Sequence, residues 1–481
     1  MLSAGVDVGG SAIKAWLFDS TSGVVVERTC ATPVVRRPNF IVEVDPQGLW
    51  AAVASALSDV LVANPTSQSP VALTVTSLRQ GFVLLDQSRE IGQVVLNSDR
   101  RGQNYLSTIR DRIGPAQLYE TTGHWLAPEL TLPKILYTMD VEPGRWASTR
   151  TVLFLHDWLV WRLTGNRVCE ASFACGGQLA NVETRGWAYE IMAELGIDSS
   201  RFPPIVESGE IVGRVTREVA REVPGLQAGI PIIAGGADTQ MAALGVGGAK
   251  DGVITVVSGS STPVQAATRS PLRDPQRRPW VSTHLESNLW AAETNVGYPG
   301  TMMDWFKSVV HNQEISTNEV VSPGAGGLSA VIAHPHWTEE VWASKAPGAI
   351  FGLRETTTPS QIARAFLEAH AFGIRSNVAD LSDALTSKVV RIILVGGGAQ
   401  ALSSIIADVL NQPITVFKDL STPAAFGAAK IIARALGDDA TFQISNALTI
   451  SPTSEGSYDE AYERYLTRYD VVHGSYINKE A

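Results

Sequence analysis

Gly5-Val-Asp-Val-Gly-Gly-Ser-Ala-Ile-Lys14 combines an apolar strand, a glycine turn and the start of a second strand. Two further apolar strands run into glycine-rich turns much later in the chain, at Val257-Ser-Gly-Ser-Ser-Thr262 and Ile392-Ile-Leu-Val-Gly-Gly-Gly-Ala399. Glycine lets the backbone come close to a phosphate and turn its N–H groups toward the oxygens. Three such turns, with Asp7 in the first and Asp238 ahead of the second, indicate a phosphotransferase that holds ATP between two domains.

Length and composition are those of an ordinary globular protein. The 481 residues predict two or three domains, and 44% hydrophobic with 18% charged residues excludes wholesale disorder. No apolar run approaches the roughly 20 residues of a membrane helix, and the N-terminus lacks the basic segment of a signal peptide. The cysteines share no metal-ligand spacing, so we expect reduced thiols in a cytoplasmic protein. They are Cys30, Cys169 and Cys175.

The net charge of −10 argues against nucleic acid and anionic membranes as partners. A polyanionic ligand must then be held by local N–H groups and a few cations, because the field of the whole protein does not attract it. We therefore expect a small-molecule partner, and a homodimer is left open.

The pattern of strands and helices divides the chain into two α/β halves, 1–244 and 245–481. A glycine cluster at Gly245, Gly247 and Gly248 marks the expected boundary and hinge. Each half begins with a hairpin around a Gly/Ser turn, followed by further strands and packing helices. This shared scheme indicates an old duplication of one α/β unit, with residues 97–230 inserted on the substrate side.

The expected elements follow from hydrophobic periodicity and from turn and cap signals. The predicted strands are Ser3–Val8, Ala12–Phe18, Val71–Thr76, Gly81–Asp86, Ile230–Gly235, Val253–Val257, Thr262–Ala267 and Val390–Val395. The predicted helices lie near Leu49–Ala63, Asp157–Leu163, Thr239–Leu244, Pro359–Leu381, Ala401–Leu410 and Ala424–Leu436. The signal Ser421-Thr-Pro423 caps the last of these, and residues 453–481 form a polar helix or tail.

Asp7 has two interpretations. An aspartate in a turn commonly hydrogen-bonds its own backbone. An acid beside a phosphate-binding turn makes sense with a cation between them, and Mg²⁺ is usually held through water. The other two glycine turns favour the magnesium interpretation. Lys14, on the same hairpin, is either a solvated strand lysine or a cation for a phosphate oxygen.

Asp238 also has two interpretations. It follows the apolar run Ile232–Gly236 and precedes a helix, so it could be a helix N-cap. It could also be a general base that takes the proton of an acceptor hydroxyl as the γ-phosphoryl group arrives. Phosphoryl transfer tolerates a weak base, because its loose transition state depends mostly on positioning and charge neutralisation.

Other nucleotide motifs are absent from the sequence. There is no Gly-x-x-x-x-Gly-Lys-Ser/Thr and no Gly-x-Gly-x-x-Gly, which excludes a P-loop kinase and gives no support to a Rossmann dinucleotide site. Gly396-Gly-Gly398 could be a tight strand-to-helix turn with close packing. Its late position in the second half favours the adenosine end of ATP.

These motifs, in this order and at these separations, resemble those of the FGGY carbohydrate kinases. That family belongs to the actin/hexokinase/Hsp70 nucleotide-binding superfamily. Asp7-Val-Gly-Gly-Ser11 with Lys14 resembles the family's Asp-x-Gly-Thr-Ser phosphate motif. Gly235-Gly-Ala-Asp238 resembles the Gly-x-Gly-Asp that carries the catalytic base. Ser258-Gly-Ser-Ser261 stands where Gly-Thr-Ser is usual, and Gly396–Ala399 matches the adenosine motif.

The resemblance covers nearly the whole chain and implies an α/β fold of two actin-like (ribonuclease H-like) domains around a nucleotide cleft. Residues 1–244 would hold the acceptor, the phosphate hairpin and the catalytic Asp, and residues 245–481 would bind ATP. ATP and Mg²⁺ are implied, with Asp238 and Asp7 as catalytic residues and Asp7 as the metal ligand. The implied ATP-binding residues are Gly9, Gly10, Ser11, Lys14, Gly259, Ser260, Ser261, Gly300, Gly397, Gly398 and Ala399. The implied acceptor-binding residues are Arg79, Gln80, Asp99, Glu129 and Asp238.

On the acceptor side the chain departs from the best-known members. Arg79-Gln80 stands where xylulokinases usually have Met-His and resembles the Arg-Glu of glycerol kinases. Asn97-Ser-Asp-Arg-Arg101 resembles the Trp-x-Asp-Arg-Arg of glycerol kinases, with Asn97 in place of tryptophan. Glu129 falls where glycerol kinases place a tyrosine. The loss of this aromatic pair predicts a more polar site that suits a longer, more hydroxylated acceptor.

The acceptor is therefore expected to be a pentulose-type sugar, such as xylulose or ribulose, or a polyol. Thr76-Ser-Leu-Arg-Gln-Gly81 also resembles the bacterial kinase of the autoinducer dihydroxypentanedione. ROK sugar kinases share the opening motif but carry a Cys-rich zinc motif that this chain cannot form. An Hsp70-like nucleotide switch is a different class, and the hydroxyl-binding candidates favour a sugar kinase over it.

Overall fold

Two mixed β-sheets, one in each half of the chain, carry the glycine turns. The computed structural model describes residues 1–66, 68–310, 323–343, 347–417, 420, 422–438, 444, 446–453 and 458–480. The first sheet has six strands, in the spatial order Ile211–Arg214, Pro231–Ala237, Leu73–Ser77, Leu2–Val8, Ala12–Asp19 and Gly23–Ala31. The second has seven, in the order Trp280–Thr283, Trp290–Asn295, Pro263–Thr268, Val253–Val257, Arg391–Val395, Ile414–Phe417 and Ala447–Ile450.

The two sheets repeat one topology. In each, an antiparallel hairpin is followed by two strands that run parallel to its first strand. At one edge of each sheet, a final strand pairs antiparallel with the last of these parallel strands. On the other side, a third strand pairs antiparallel with the second strand of the hairpin. Six strands of the second sheet thus match those of the first in order and direction. The predicted scheme shared by the two halves is confirmed, and both predicted hairpins form.

A third sheet of five strands extends the first half on the side of the insertion. Its spatial order is Val35–Arg37, Ile41–Val44, Val94–Val95, Phe82–Leu85 and Thr151–Phe154. The predicted strand over 81–86 forms here rather than in the first large sheet. The inserted region is therefore larger than the predicted residues 97–230, because strands from before residue 97 belong to its sheet. Three two-stranded sheets complete the strands: Cys169–Glu170 with Ile205–Val206, Ala180–Asn181 with Gly186–Trp187, and Ser329–Val331 with Ala349–Phe351.

Helices cover the sheets and lie close to the predicted ranges. In the first half they are Pro46–Val62, Leu106–Ile113, Pro115–Thr122, Thr131–Val141, Pro143–Ser148, Leu155–Thr164, Ala171–Gly176, Tyr189–Glu194, Arg217–Glu222 and Asp238–Gly245. In the second half they are Pro299–Val309, Glu339–Ala343, Pro359–Ala384, Ala399–Leu410, Pro423–Ala435 and Asp459–Glu480. Pro423 opens its helix as predicted, whereas Ser421 of the cap signal lies outside the described residues. None of the helices described is both long and apolar enough to cross a bilayer.

The halves meet where the helix Asp238–Gly245 packs on the helix Pro423–Ala435. Two glycines make this contact close: a Cβ on Gly245 would lie 2.1 Å from the carbonyl oxygen of Pro423, and a Cβ on Gly427 would lie 2.1 Å from that of Met241. Each large sheet lies entirely on its own side of the predicted boundary at 244/245. The boundary itself and its role as a hinge remain predictions.

Candidate active site

Asp7 and Asp238 lie at the same edge of the first sheet. The strand Leu73–Ser77 runs parallel to both neighbours, with Thr76 opposite Asp7 on one side and opposite Gly236 on the other. Because parallel strands end at one edge of a sheet, their terminal residues meet there, as ligand-binding residues commonly do in α/β folds. Burial, and after it the negative charge of Asp238, raise the pKa of Asp7 to about 7.

Asp7 is placed to hold a cation. Its Oδ1 is buried and has no hydrogen-bond partner among the described residues. Lys14 is its partner across the hairpin, so the two side chains lie on one face of the sheet, and the positive charge of Lys14 lowers the pKa of Asp7. An unpartnered carboxylate oxygen is a ligand that Mg²⁺ prefers. The described residues hold no cluster of three or more metal-binding side chains, so water and phosphate oxygens would have to complete the coordination.

Asp238 is the first residue of its helix, and Ala237 takes the N-cap position. The Asp238 Oδ1 accepts the N–H of Thr239 at 2.7 Å. Burial raises the pKa of Asp238 to about 6, while the nearby guanidinium of Arg79 lowers it. A carboxylate with a pKa near 6 is a better proton acceptor than a free aspartate and is still mostly ionised at neutral pH.

A cleft of 330 Å³ in the second half brings together two of the predicted turns. Ser258, Gly259 and Ser260 form one wall, and Gly397 and Gly398 form another. The turns also touch each other, since the Gly398 N–H donates to the Ser258 carbonyl at 3.5 Å. Gly300 lines the cleft too, and a Cβ there would lie 2.0 Å from the Gly259 carbonyl oxygen. Ala399 begins the helix that follows the third turn.

Helical residues outside the glycine motifs form other walls of this cleft. They are Pro299, Met303, Asp304, Lys307, Phe366, Leu367, His370 and Leu402. The spacing of Met303, Asp304 and Lys307 places them on one face of the helix Pro299–Val309. Burial lowers the pKa of His370 to about 3, so this side chain is neutral at physiological pH. The helical periodicity was visible in the sequence, but nothing local said which face would meet a ligand.

A second cavity, of 140 Å³, lies between the halves and contains Asp238. Of the predicted acceptor residues, Arg79, Gln80 and Glu129 also line it. Ser261 lines it as well, directly after the three residues that line the larger cleft. The turn 258–261 therefore borders both cavities. The Gly9–Ser11 turn is not among the lining residues of either one.

Arg79 is paired across the cavity with a carboxylate from the other half. Its Nη2 lies 2.7 and 2.8 Å from the two carboxylate oxygens of Glu293, and both side chains are buried. The side-chain amide of Gln265 also donates to Glu293 and, at 3.0 Å, to the hydroxyl of Thr239. Glu293 has no counterpart in the predicted site, since it lies in the middle of an ordinary strand pattern.

Gln80 and Glu129 are held by neighbouring groups. The buried Lys134 ammonium donates to the carbonyls of Gln80 at 3.3 Å, Leu96 at 2.8 Å and Asn97 at 3.1 Å, which ties two cavity-lining loops together. Burial lowers the pKa of Lys134 to about 7. Glu129 binds the Arg100 Nε and the Trp342 indole N–H, each at 3.0 Å. Its carboxylate is thereby fixed at the cavity wall.

Asp99 does not line the cavity, and its predicted contact with the acceptor is corrected. The side chain is fully buried, and both oxygens are saturated. Oδ1 accepts from the N–H and Nε of Arg101, and Oδ2 accepts from the Val42 N–H and from Arg101 Nη2, all at 2.7–2.9 Å. Asp99 therefore fixes the loop, while Asn97 and Ser98 from the same motif line the cavity.

Aromatic side chains from the second half line the 140 Å³ cavity beside its polar and charged groups, and the more polar acceptor site stays a prediction. The aromatic residues are Trp280, Tyr298, Trp337 and Trp342. Trp280 and Trp337 lie with ring centroids 4.5 Å apart, and Trp125 packs against both. The aromatic pair missing from the first half is thus replaced by rings from elsewhere in the chain.

Known proteins show the same two-part organisation. The model of the N-terminal domain of the FGGY family of carbohydrate kinases matches residues 2–245, and that of the C-terminal domain matches residues 254–436. A xylulose kinase from Lactococcus lactis subsp. lactis is 27% identical over 422 residues, which are 85% of this chain and 83% of the relative. An autoinducer-2 kinase from Yersinia enterocolitica is 25% identical over 437 residues, covering 85% and 82% of the two chains.

A solved structure confirms the fold over the whole chain. The crystal structure of a xyloylose kinase from Brucella ovis is 26% identical and superposes with a TM-score of 0.86, covering 98% of this chain and 100% of that one. The expected α/β fold of two actin-like domains around a cleft is thereby confirmed. The chain belongs to the FGGY family of carbohydrate kinases and is an ATP-dependent sugar kinase.

Proposed function

We propose that this protein transfers the γ-phosphoryl group of ATP to a hydroxyl of a short, neutral sugar, with a pentulose favoured. The observation that carries the proposal is the turn 258–261, which borders both cavities. A nucleotide in the larger cleft and an acceptor in the smaller cavity would meet at this turn. Asp238 lines the smaller cavity, as does Ser261 of this turn.

Asp238 acts as the general base in this scheme. The acceptor hydroxyl donates to its carboxylate, which takes the proton as the oxygen attacks the γ-phosphorus. The bond from the γ-phosphorus to the β–γ bridging oxygen breaks, and ADP leaves. Backbone N–H groups of the glycine turns and the Lys14 ammonium hold the phosphate oxygens. Asp7 would hold Mg²⁺, which supplies positive charge to the phosphates.

The acceptor cavity favours a small neutral substrate. Its 140 Å³ correspond to about five liquid water volumes, which fits a short hydroxylated chain better than a disaccharide. Arg79 is already paired with Glu293, and Glu129 with Arg100, so no cation of these pairs is left over for an acidic acceptor. The aromatic walls suit the C–H faces of a sugar chain. The names of the relatives from Lactococcus and Brucella support a ketopentose.

A coupled assay of ADP release over a panel of acceptors tests the proposal. The panel contains xylulose, ribulose, xylitol, glycerol, gluconate and dihydroxypentanedione. We expect strong stimulation by one pentulose, weaker rates with the polyols and none with gluconate. ATP hydrolysis that is indifferent to every acceptor would identify a nucleotide switch instead, and selective turnover of dihydroxypentanedione would identify an autoinducer kinase.

We expect Gly397→Val to weaken ATP binding without unfolding the protein. A Cβ on Gly397 meets no atom within 4 Å, so the added side chain projects into the cleft where the nucleotide should approach. Overpacking of this kind costs about 1–3 kcal/mol, which corresponds to a rise of about 5- to 150-fold in the ATP dissociation constant. Isothermal titration with an ATP analogue measures it. Gly144→Val is the matched control, because a Cβ on Gly144 also meets no atom within 4 Å and Gly144 lines neither cavity.

We expect kcat/KM for the acceptor to fall as the pH drops below about 7. The carboxyl groups of Asp7 and Asp238 have pKa values raised to about 7 and about 6, and both must be ionised to act. The free energy of unfolding should change in the opposite direction and rise as the pH drops. Because both pKa values exceed the unfolded value of about 4, protonation favours the folded state, and this contribution to stability is lost as the pH rises from about 4 to about 7. Rates and melting temperatures between pH 5 and 8 check both directions.

A further inference from the structure

The strand that delivers Asp238 is interrupted just before it. Pairing between Pro231–Ala237 and Leu73–Ser77 shifts register between Ile233 and Gly236. The backbone is crowded here, since a Cβ on Gly235 would lie 1.8 Å from the Val75 carbonyl oxygen. At a bulge the extra residue loses its place in the ladder. Its N–H must therefore find a partner other than the neighbouring strand.

His156 supplies that partner from the helix Leu155–Thr164. The Gly235 N–H donates to His156 Nε2 at 3.2 Å, and the other ring nitrogen, Nδ1, lies 2.8 Å from Asp157 Oδ1. Because Nε2 accepts, the proton of the neutral ring is on Nδ1 and is donated to Asp157. The same Asp157 oxygen accepts the Glu170 N–H at 3.0 Å. The ring also stacks on Phe173 at 4.9 Å between centroids, which fixes its orientation.

Ser172 holds the next turn of the same segment. The Ala237 N–H donates a hydrogen bond to the Ser172 Oγ at 3.3 Å. That hydroxyl in turn donates a hydrogen bond to the Glu170 carboxyl group. From the opposite side, the Thr76 hydroxyl donates to the Gly236 carbonyl at 2.6 Å. Two peptide groups shortly before Asp238, 234–235 and 236–237, thus form hydrogen bonds to side chains.

We propose that His156 and Ser172 are positioning residues for the phosphoryl transfer. They hold the N–H groups of Gly235 and Ala237, and this fixes the direction in which Asp238 enters the acceptor cavity. The inference rests on the proposed role of Asp238 as the base. Gly235 lies at the register shift, where the ladder restrains the backbone least, and glycine is conformationally free, so the buried acceptors restrain the segment there. A displacement of about 1 Å in such a group can cost as much as 10²-fold in rate.

The test compares three variants by steady-state kinetics with the pentulose identified in the panel. His156→Phe keeps the ring that stacks on Phe173 but removes the acceptor. We expect it to lower kcat by about 10- to 100-fold, with the KM for ATP within about twofold of wild type, since His156 lines neither cavity. His156→Gln restores an acceptor near the Nε2 position and should recover most of the loss. Ser172→Ala should lower kcat in the same way and serves as the second variant.

A double variant separates positioning from mere packing. If His156 acts through Asp238, His156→Phe should change kcat by less than about twofold in an Asp238→Asn background, because effects on one catalytic unit do not add. An equal loss in both backgrounds would overturn the inference, as would wild-type kcat in both His156→Phe and Ser172→Ala. Failure of the proposed function has a different signature, since Asp238→Asn alone would then remain active.

Discussion

Replacing Asp238 with asparagine is expected to lower the turnover number by about 10²–10⁴-fold, the usual contribution of a general base. The change removes the proton acceptor but keeps the size of the side chain and its capacity to accept the Thr239 N–H. The melting temperature and the affinity for ATP should stay close to wild type. The coupled ADP assay at saturating acceptor gives the turnover number. Thermal unfolding gives the melting temperature, and its shift with added nucleotide reports the affinity for ATP.

A genuine helix cap provides the control. Asp45 is the N-cap of Pro46–Val62 and accepts the Gly48 N–H at 2.7 Å. Asparagine caps about as well as aspartate, so Asp45→Asn should leave both rate and stability nearly unchanged. If Asp238→Asn behaved like this control and kept more than about a tenth of the wild-type rate, Asp238 would be no more than a helix-terminal residue.

Arg79→Ala is expected to destabilise the protein by about 3–5 kcal/mol, because it leaves the Glu293 carboxylate buried without its partner. It should also raise the KM for the acceptor, since Arg79 lines that cavity, while ATP binding persists. Urea unfolding and acceptor kinetics measure the two effects. The double change Arg79→Met with Glu293→Leu should recover most of the stability, as apolar replacements of buried ion pairs often do, but not the acceptor affinity.

Another ion pair between the halves is the natural comparison. Arg110 and Glu339 also lie 2.7 Å apart, but the Arg110 side chain is 48% exposed, against 9% for Arg79. Surface pairs contribute about 0–1 kcal/mol, so Arg110→Ala should be nearly silent. If Arg79→Ala lost equally little stability and left the KM for the acceptor unchanged, Arg79 would contribute neither to acceptor binding nor to the stability of the interface.

Local patterns predicted the framework and the turns. The alternation of apolar residues around Gly9 and Gly259 predicted both hairpins, and the strand–turn–helix pattern at Gly396 predicted the third turn. Both kinds of structure are formed by residues that are close in sequence. The partner of Arg79 could not be predicted in this way, since Glu293 is 214 residues distant in sequence. The tryptophan walls were missed for the same reason. Asp99 shows a further limit, as its motif was recognised but not the direction of its side chain.

The two-sided construction of the acceptor cavity has a consequence for how affinity can change. Asp238 and Arg79 belong to one half of the chain, and the aromatic walls belong to the other. The complete binding surface therefore exists only in molecules whose two halves lie closed against each other. The apparent dissociation constant equals the intrinsic one divided by the fraction of such molecules. A substitution at the Gly245–Gly427 helix contact that shifts this population by about 1.4 kcal/mol would then change acceptor affinity up to tenfold. Affinity can thus be tuned from a site that touches no substrate atom.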